Sequence, residues 1–174
     1  YGMTNADLMS FVFSRRLTHA EIERYGEEKE QYYRDLYAGH MAPTPGLVEF
    51  LRELKAAGTR TVVATSAPRS NAAFLIDGLR LRPLFDAVVH AGQVNRGKPD
   101  PEIYLTAASR VGCRPDACAV FEDAQVGIEA GRRAAMTVIG LATTLPPEKL
   151  TAVRLVIKDF REINVQKLNE LLVK

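Results

Sequence analysis

The sequence is short of several features that would each indicate a particular class of protein. Its 174 residues include no tryptophan and two cysteines, too few for a disulfide framework or a cysteine zinc site. The 23 basic and 21 acidic residues leave a net charge of +2, which does not favour electrostatic binding of nucleic acid. No apolar run approaches the roughly 18 residues of a membrane span. We therefore expect a cytoplasmic protein without nucleic-acid or membrane partners, and we take a monomer as the default.

An initiating methionine is also missing, because the sequence begins with Tyr1 and a helical pattern starts almost at once. Thr4 and Asp7 resemble a capping box at the start of this first helix. A natural gene product rarely begins in this way. We therefore expect either a further N-terminal segment ahead of Tyr1 or a processed N-terminus.

What the sequence does contain is a core-forming composition, with 47% hydrophobic and 25% charged residues. Residues 1–42 show helical patterns alone, and Thr18 with Glu21 forms a full capping box ahead of one helix. The aromatic residues within positions 32–37 recur at helical spacing, which predicts a packed face. Residues 1–42 are therefore predicted to form a small, partial helical domain in front of residues 43–174.

Short apolar strands alternate with amphipathic helices after this helical domain. The predicted strands are residues 61–64, 87–90, 117–121, 136–141 and 153–157. The predicted helices are residues 47–57, 71–79, 101–111, 126–135 and 163–172. This alternation is typical of a parallel sheet covered by helices on both faces. We therefore predict an α/β fold, a Rossmann-like parallel sheet flanked by helices, with a small helical domain.

Polar side chains follow three of these strands, and ligands of such sheets bind outside the carboxyl ends of the strands. The first strand ends in Thr65 and Ser66, whose hydroxyls and following N–H groups suit a phosphate. The same hydroxyls would also serve as caps of the next helix. After the second strand, Lys98 lies between a glycine and a proline, which predicts an ammonium held by a fixed backbone. A plain surface lysine is the alternative.

The strand over residues 117–121 is apolar and ends in Glu122 and Asp123. Two adjacent carboxylates at the end of a buried strand repel each other unless a cation compensates them. Mg²⁺ prefers one or two carboxylates together with waters and phosphate oxygens. The pair therefore predicts a magnesium site, and the alternative is an acidic first turn that complements the dipole of the next helix.

Together, these strand ends resemble the haloacid dehalogenase-like hydrolases, in the branch that includes β-phosphoglucomutase and small sugar-phosphate phosphatases. The segment that ends in Thr65 and Ser66 is similar to the family's second motif, residues 97–102 to its third, and residues 121–131 to its fourth. Residues 1–40 resemble the helical cap that closes over the site and selects the substrate. The resemblance implies a core of this family over the remaining residues.

The family's first motif, an Asp-x-Asp sequence after a leading strand, does not occur in this chain. The resemblance implies that this motif supplies the nucleophilic and the acid/base aspartates, and that its strand is the central one of the sheet. Without that strand the sheet is expected to split and to leave two long edges unpaired. We therefore expect the nucleophile on a segment ahead of Tyr1, and we predict that this chain alone is inactive.

The resemblance also implies roles for the residues at the strand ends. Thr65 and Lys98 are the predicted catalytic residues, and with Ser66 they would hold the transferring phosphoryl group. Asp123 would ligate Mg²⁺, and Glu122 would support the ion directly or through a water.

The implied activity is a Mg²⁺-dependent phosphohydrolase that acts on small phosphorylated metabolites through an aspartyl-phosphate intermediate. One alternative is a sugar-phosphate mutase, whose cap places a cationic side chain on the distal phosphate. Thr4 and Asn5 are the candidate substrate contacts of the cap loop, and Asn5 stands where a mutase would have arginine. Another alternative is a non-catalytic module that binds phosphate or a partner, which applies if the chain is complete as it stands.

Overall fold

The computed structural model of the protein describes Met9 and residues 11–173. The chain divides into two compact units, one of them much smaller than the other. The first predicted capping box, with Thr4 and Asp7, lies outside the described residues. None of the helices in the described part is both long enough and apolar enough to cross a membrane.

The smaller unit, Tyr1–Met41, contains the helix α1, His19–Tyr37. The predicted capping box is present at its start: the N–H of Glu21 donates to Thr18 Oγ1 at 3.3 Å, and the N–H of Thr18 donates to the Glu21 carboxylate at 2.9 Å. A side-chain hydrogen bond from Arg15, followed by the bond from the Thr18 N–H, lowers the pKa of Glu21 to about 2. The local sequence signal therefore fixes where this helix begins.

The aromatic face of α1 is more exposed than its spacing predicts. Tyr32 and Leu36 are 67% and 60% exposed, and Tyr33 stacks on Tyr37 with ring centroids 5.5 Å apart. The prediction of a packed face is therefore wrong for these side chains, because all four are exposed in the described part of the chain. Helical spacing reports which side chains share a face, and what covers that face depends on other segments.

The larger unit, Ala42–Lys174, alternates strands and helices as the sequence predicts. Its strands are β1 Val62–Thr65, β2 Ala87–His90, β3 Ala119–Glu122, β4 Thr137–Leu141 and β5 Leu155–Ile157. Its α-helices are α2 Leu47–Ala56, α3 Arg69–Gly78, α4 Glu102–Arg110, α5 Gln125–Arg133 and α6 Val165–Leu172. The α/β fold with parallel strands and flanking helices is thereby confirmed.

All strand pairs are parallel, but they form two sheets in the described part of the chain. β1 pairs with β2, with Thr65 opposite His90. β3 pairs with β4, with Glu122 opposite Gly140, and β5 lies on the other side of β4. No pairing joins β1 to β3 among the described residues, so each of these strands has one edge without a neighbouring strand.

A cavity of about 320 Å³ lies between the unpaired edges of β1 and β3. Most of its lining is apolar, and it includes Val62 and Ala64 of β1 together with Val120 and Phe121 of β3. Leu54 of α2 also lines it. The space between the two sheets is therefore bordered by free strand edges and by apolar side chains from the covering helices.

Successive side chains of a strand point to opposite faces of its sheet. Since apolar side chains of β3 point to both faces, helices pack on each face and bury them. On β3, Val120 belongs to a cluster with Ile103 of α4, whereas Phe121 packs in a second cluster with Phe50 of α2. Each such buried side chain contributes about 1.5–3 kcal/mol relative to exposure. In β3, the apolar side chains therefore lie in two separate cores, one on each face of the sheet, and the polar residue lies at the carboxyl end of the strand.

Candidate active site

The carboxyl ends of both sheets lie on the same side of the larger unit. Lys98 follows β2, Glu122 ends β3, and the ammonium of Lys98 contacts the carboxylate of Glu122. Because Thr65 pairs with His90 at the end of β2, the end of β1 lies at this edge as well. The three predicted polar strand ends are thereby brought to one edge of the fold.

The loop after β1 is organised by its own threonine. The hydroxyl of Thr65 accepts a hydrogen bond from the N–H of Ala67 at 3.1 Å. The N-cap residue of α3 is Pro68, and no side chain caps this helix. The helix-cap alternative for Thr65 and Ser66 is therefore not what the structure shows, and the exposed Ser66 adds a hydroxyl and an N–H to the edge.

Lys98 is presented by a loop that Glu102 holds from the first turn of α4. The Glu102 carboxylate accepts hydrogen bonds from the N–H groups of Asn95 at 2.8 Å and Arg96 at 3.0 Å. The bond from Asn95 is the main cause of a lowered pKa of Glu102, so this carboxylate remains charged. Asp100 in turn accepts a bond from the N–H of Glu102 at 3.0 Å. The backbone around Lys98 is thus fixed, as the bracketing glycine and proline predict.

Lys98, Glu122 and Tyr104 form a buried cluster. The side chains of Lys98 and Glu122 are 11% and 9% exposed, and the Tyr104 hydroxyl donates to the same Glu122 oxygen that Lys98 contacts. The Lys98 ammonium also lies 4.8 Å from the centre of the Tyr104 ring. Burial, and then the charge of Glu122, raise the pKa of Tyr104, so its hydroxyl stays protonated and donates. A surface lysine is therefore excluded for Lys98.

Gly127 of α5 makes room for this cluster. A Cβ atom at this position would overlap the carboxylate of Glu122. The glycine lets the helix backbone approach the end of β3, so the carboxylate is enclosed between α5 and the donors Lys98 and Tyr104. Glu122 is therefore held as the counter-ion of Lys98, and its support of a metal ion stays a prediction.

Asp123 lies beyond the end of β3 and is only partly buried. Its Oδ2 atom accepts hydrogen bonds from the hydroxyls of Thr144 and, at 3.4 Å, of Thr143, both in the loop after β4. No cluster of three or more His, Cys, Asp or Glu side chains occurs among the described residues. One accessible carboxylate still fits Mg²⁺, because this ion binds through one or two carboxylates and completes its shell with waters and phosphate oxygens.

The sequence did not predict three residues that contact Glu122 or Asp123, namely Tyr104, Thr144 and Gly127. Tyr104 and Thr144 reach Glu122 and Asp123 from elements that lie elsewhere in the sequence. Gly127 has a recognisable place in the motif, but its contact with a carboxylate depends on the position of α5. The predicted cap contacts Thr4 and Asn5 lie outside the described residues, so they stay predictions.

The sequence of the chain is similar to those of several known proteins. The family of haloacid dehalogenase-like hydrolases matches residues 3–135. A validoxylamine A 7'-phosphate phosphatase from Streptomyces hygroscopicus subsp. limoneus is 39% identical over 118 residues, which cover 68% of this chain and 55% of that protein. A beta-phosphoglucomutase from Bacillus subtilis (strain 168) is 30% identical over 158 residues, or 89% of this chain and 67% of that protein.

A solved structure shares the fold along almost the entire chain. The crystal structure of a HAD hydrolase, family IA, variant 3, from Entamoeba histolytica HM-1:IMSS superposes with a TM-score of 0.92 at 28% identity. The match covers 99% of this chain and 80% of that chain. By contrast, the chain spans about half the length of the first curated relatives. Fold, strand-end motifs and family match agree, and the chain belongs to the haloacid dehalogenase-like hydrolases.

Proposed function

We propose that the protein is a Mg²⁺-dependent phosphohydrolase of small phosphorylated metabolites such as sugar phosphates. The observation that carries the proposal is the buried contact between Lys98 and Glu122 at the edge where β1 and β3 end. A desolvated ammonium at this edge provides a fixed positive charge for a phosphoryl group. The relatives also include a phosphorylated carbohydrates phosphatase from Thermotoga maritima, whose name supports the same substrate class.

Each residue of the site has a part in this activity. Thr65 and Ser66 would bind phosphoryl oxygens with a hydroxyl and with N–H groups, and Lys98 would neutralise the developing charge. Glu122 would keep the Lys98 side chain oriented, since the two side chains are in buried contact. Asp123 would hold Mg²⁺, which supplies positive charge next to the phosphoryl oxygens. Catalysis in such a site rests on positioning and charge neutralisation.

The cavity between β1 and β3 is where we place the strand that leads to the nucleophile. We infer that a parallel strand from a segment ahead of Tyr1 fills this cavity and pairs with both free edges. A parallel strand here would point its carboxyl end toward the edge that carries Thr65, Lys98 and Glu122. The first residues after it would then enter the site. There one aspartate would attack phosphorus as the P–O bond to the substrate's alcohol oxygen breaks, and the second aspartate would protonate that leaving oxygen. Water would then hydrolyse the aspartyl-phosphate to inorganic phosphate.

The test is turnover of a panel of sugar phosphates by the intact protein with Mg²⁺, compared with its Asp123→Asn variant. We expect the variant to lose at least about 100-fold in kcat/KM, because a preorganised charge is removed from the site. Asp116→Asn is the matched control, since Asp116 pairs with Arg114 near the start of β3, away from the site. Near-normal turnover by Asp123→Asn, or no Mg²⁺-dependent turnover by the intact protein, would contradict the proposal.

A sugar-phosphate mutase is the second candidate, and the similarity to a beta-phosphoglucomutase favours it. The same edge would serve both reactions, because each begins with transfer of a phosphoryl group. The two are distinguished by their products. Conversion of one sugar phosphate into its isomer without release of inorganic phosphate would favour the mutase, whereas stoichiometric phosphate release favours the hydrolase.

A further inference from the structure

We propose that Thr144, assisted by Thr143, is a positioning residue that makes Asp123 a one-oxygen ligand and thereby favours Mg²⁺ over Ca²⁺. The inference rests on the proposed function, because it assumes that Asp123 faces a divalent cation. It concerns how the chain selects that cation, which neither the sequence motifs nor the family match assigns.

The two oxygens of the Asp123 carboxylate have different surroundings. Both threonine hydroxyls meet the same oxygen, Oδ2, with Thr144 in close contact and Thr143 at 3.4 Å. No hydrogen bond to Oδ1 occurs among the described contacts of Asp123. Because each hydroxyl that donates to Oδ2 occupies one of that oxygen's two lone pairs, Oδ1 is the oxygen that remains open to a cation.

The loop that carries the two threonines is held at several points. The N–H of Ala142 donates to the carbonyl of Ile157 on β5 at 2.8 Å. The side-chain amide of Gln125, the first residue of α5, donates to the carbonyl of Lys149. Leu150 is 3% exposed and packs in the apolar cluster with Ile128. The hydroxyl positions are thus set by the fold, as a device that orients a ligand requires.

Glu122, the neighbouring acid, is not available to bind the cation directly. Glu122 is buried and accepts from Lys98 and Tyr104, so Asp123 is the accessible carboxylate at the end of β3. Mg²⁺ requires near-octahedral geometry with single-oxygen ligands, whereas Ca²⁺ accepts bidentate carboxylates and higher coordination numbers. A carboxylate with one oxygen already bonded is therefore suited to Mg²⁺ and poorly suited to bidentate binding of Ca²⁺.

The experiment measures metal binding by the intact protein without substrate, using calorimetric titration with MgCl₂ and with CaCl₂. We expect Thr144→Val to weaken Mg²⁺ binding by about tenfold, the scale of lost contacts to a metal ligand. Its affinity for Ca²⁺ should fall less, so the Mg²⁺ to Ca²⁺ preference declines. Thr144→Ser keeps the hydroxyl and should restore both affinities. Thr143→Val should have a smaller effect, because its contact is longer.

The control is Thr151→Val, the same change at an exposed threonine that follows this loop. Thermal unfolding of each metal-free variant checks that the fold is kept. An unchanged ratio of Mg²⁺ to Ca²⁺ affinity in Thr144→Val would overturn the inference, as would equal losses in the Val and Ser variants. Turnover is measured separately: a protein that binds Mg²⁺ as described but hydrolyses no phosphate contradicts the proposed function and leaves the inference standing.

Discussion

The carboxylate of Glu122 illustrates how the surroundings of one residue decide its chemistry. It is buried, and it is balanced by the ammonium of Lys98 and the hydroxyl of Tyr104. A buried charge without such partners costs several kcal/mol, on the order of 3–5 for a broken pair. Asp123, the next residue, lies outside this enclosure and meets threonine hydroxyls instead. Two adjacent acids of similar chemistry therefore have different surroundings and different partners.

A substitution at Gly127 tests how tightly the Glu122 carboxylate is enclosed. Gly127→Ala should lower the free energy of unfolding by about 1–3 kcal/mol, because the new methyl group overlaps the Glu122 carboxylate and forces it to move. Turnover should fall as well, since Lys98 loses its partner geometry. Urea unfolding and steady-state kinetics measure the two effects. Gly39→Ala is the control, because nothing lies within 4 Å of its added Cβ. If both variants lost the same free energy of unfolding and the same turnover, the close approach of α5 to Glu122 would not matter as described.

At the scale of elements, Asp86 connects the starts of β1 and β2. Its carboxylate accepts hydrogen bonds from the N–H of Thr61 at 2.8 Å and from Arg60 at 2.9 Å. These contacts, the bond from Thr61 first, lower the pKa of Asp86. Because the folded-state pKa lies below the unfolded one, the carboxylate stabilises the fold above its ordinary pKa. That contribution is lost as the pH falls through the folded-state value.

Asp86→Asn should therefore lower the free energy of unfolding at pH 7 by about 1.5–3 kcal/mol, the range for a hydrogen bond to a charged group. The difference between the variant and the wild type should begin to shrink below about pH 4, where the aspartate of the unfolded chain becomes protonated, and it should vanish once the pH falls below the lowered folded-state pKa. Denaturant unfolding over a pH series measures this. The matched control is Glu148→Gln, since Glu148 makes no ion pair or hydrogen bond among the described contacts. A pH-independent difference would show that Asp86 does not act through its charge.

Elements with strong local signals were predictable from the sequence, and contacts between distant elements were not. The Thr18 capping box marks the start of α1, and β2 was predicted at its observed bounds. The predicted start of α4 at residue 101 is one residue early, because Pro101 is the N-cap and the helix begins at Glu102, whose N–H donates to Asp100. Tyr104 illustrates the limit: its bond to Glu122 depends on where α4 packs, which periodicity does not specify.

The larger unit, taken as a whole, has two sheets with facing free edges and an apolar cavity of about 320 Å³ between them. Unpaired edges of this kind invite pairing with another strand, because their N–H and C=O groups lack partners. The resemblance to the family implied such a gap, because the family's Asp-x-Asp motif follows the central strand and does not occur in this chain. The place of the gap, between β1 and β3, follows from the observed strand order.

Amide hydrogen exchange of the intact protein tests whether a strand occupies this gap. With the gap filled, β1 is internal to one continuous sheet while β2 keeps a free outer edge in the described part. Peptides that cover β1 should therefore exchange more slowly than those that cover β2, by about tenfold or more, because internal strands open only through larger unfolding events. The comparison of β3 with β5, another strand with one described neighbour, provides an independent repeat within the same experiment. Exchange in β1 and β3 as fast as in β2 and β5 would mean that the two sheets stay separate in solution, and a nucleophile carried by a strand between them would then be excluded.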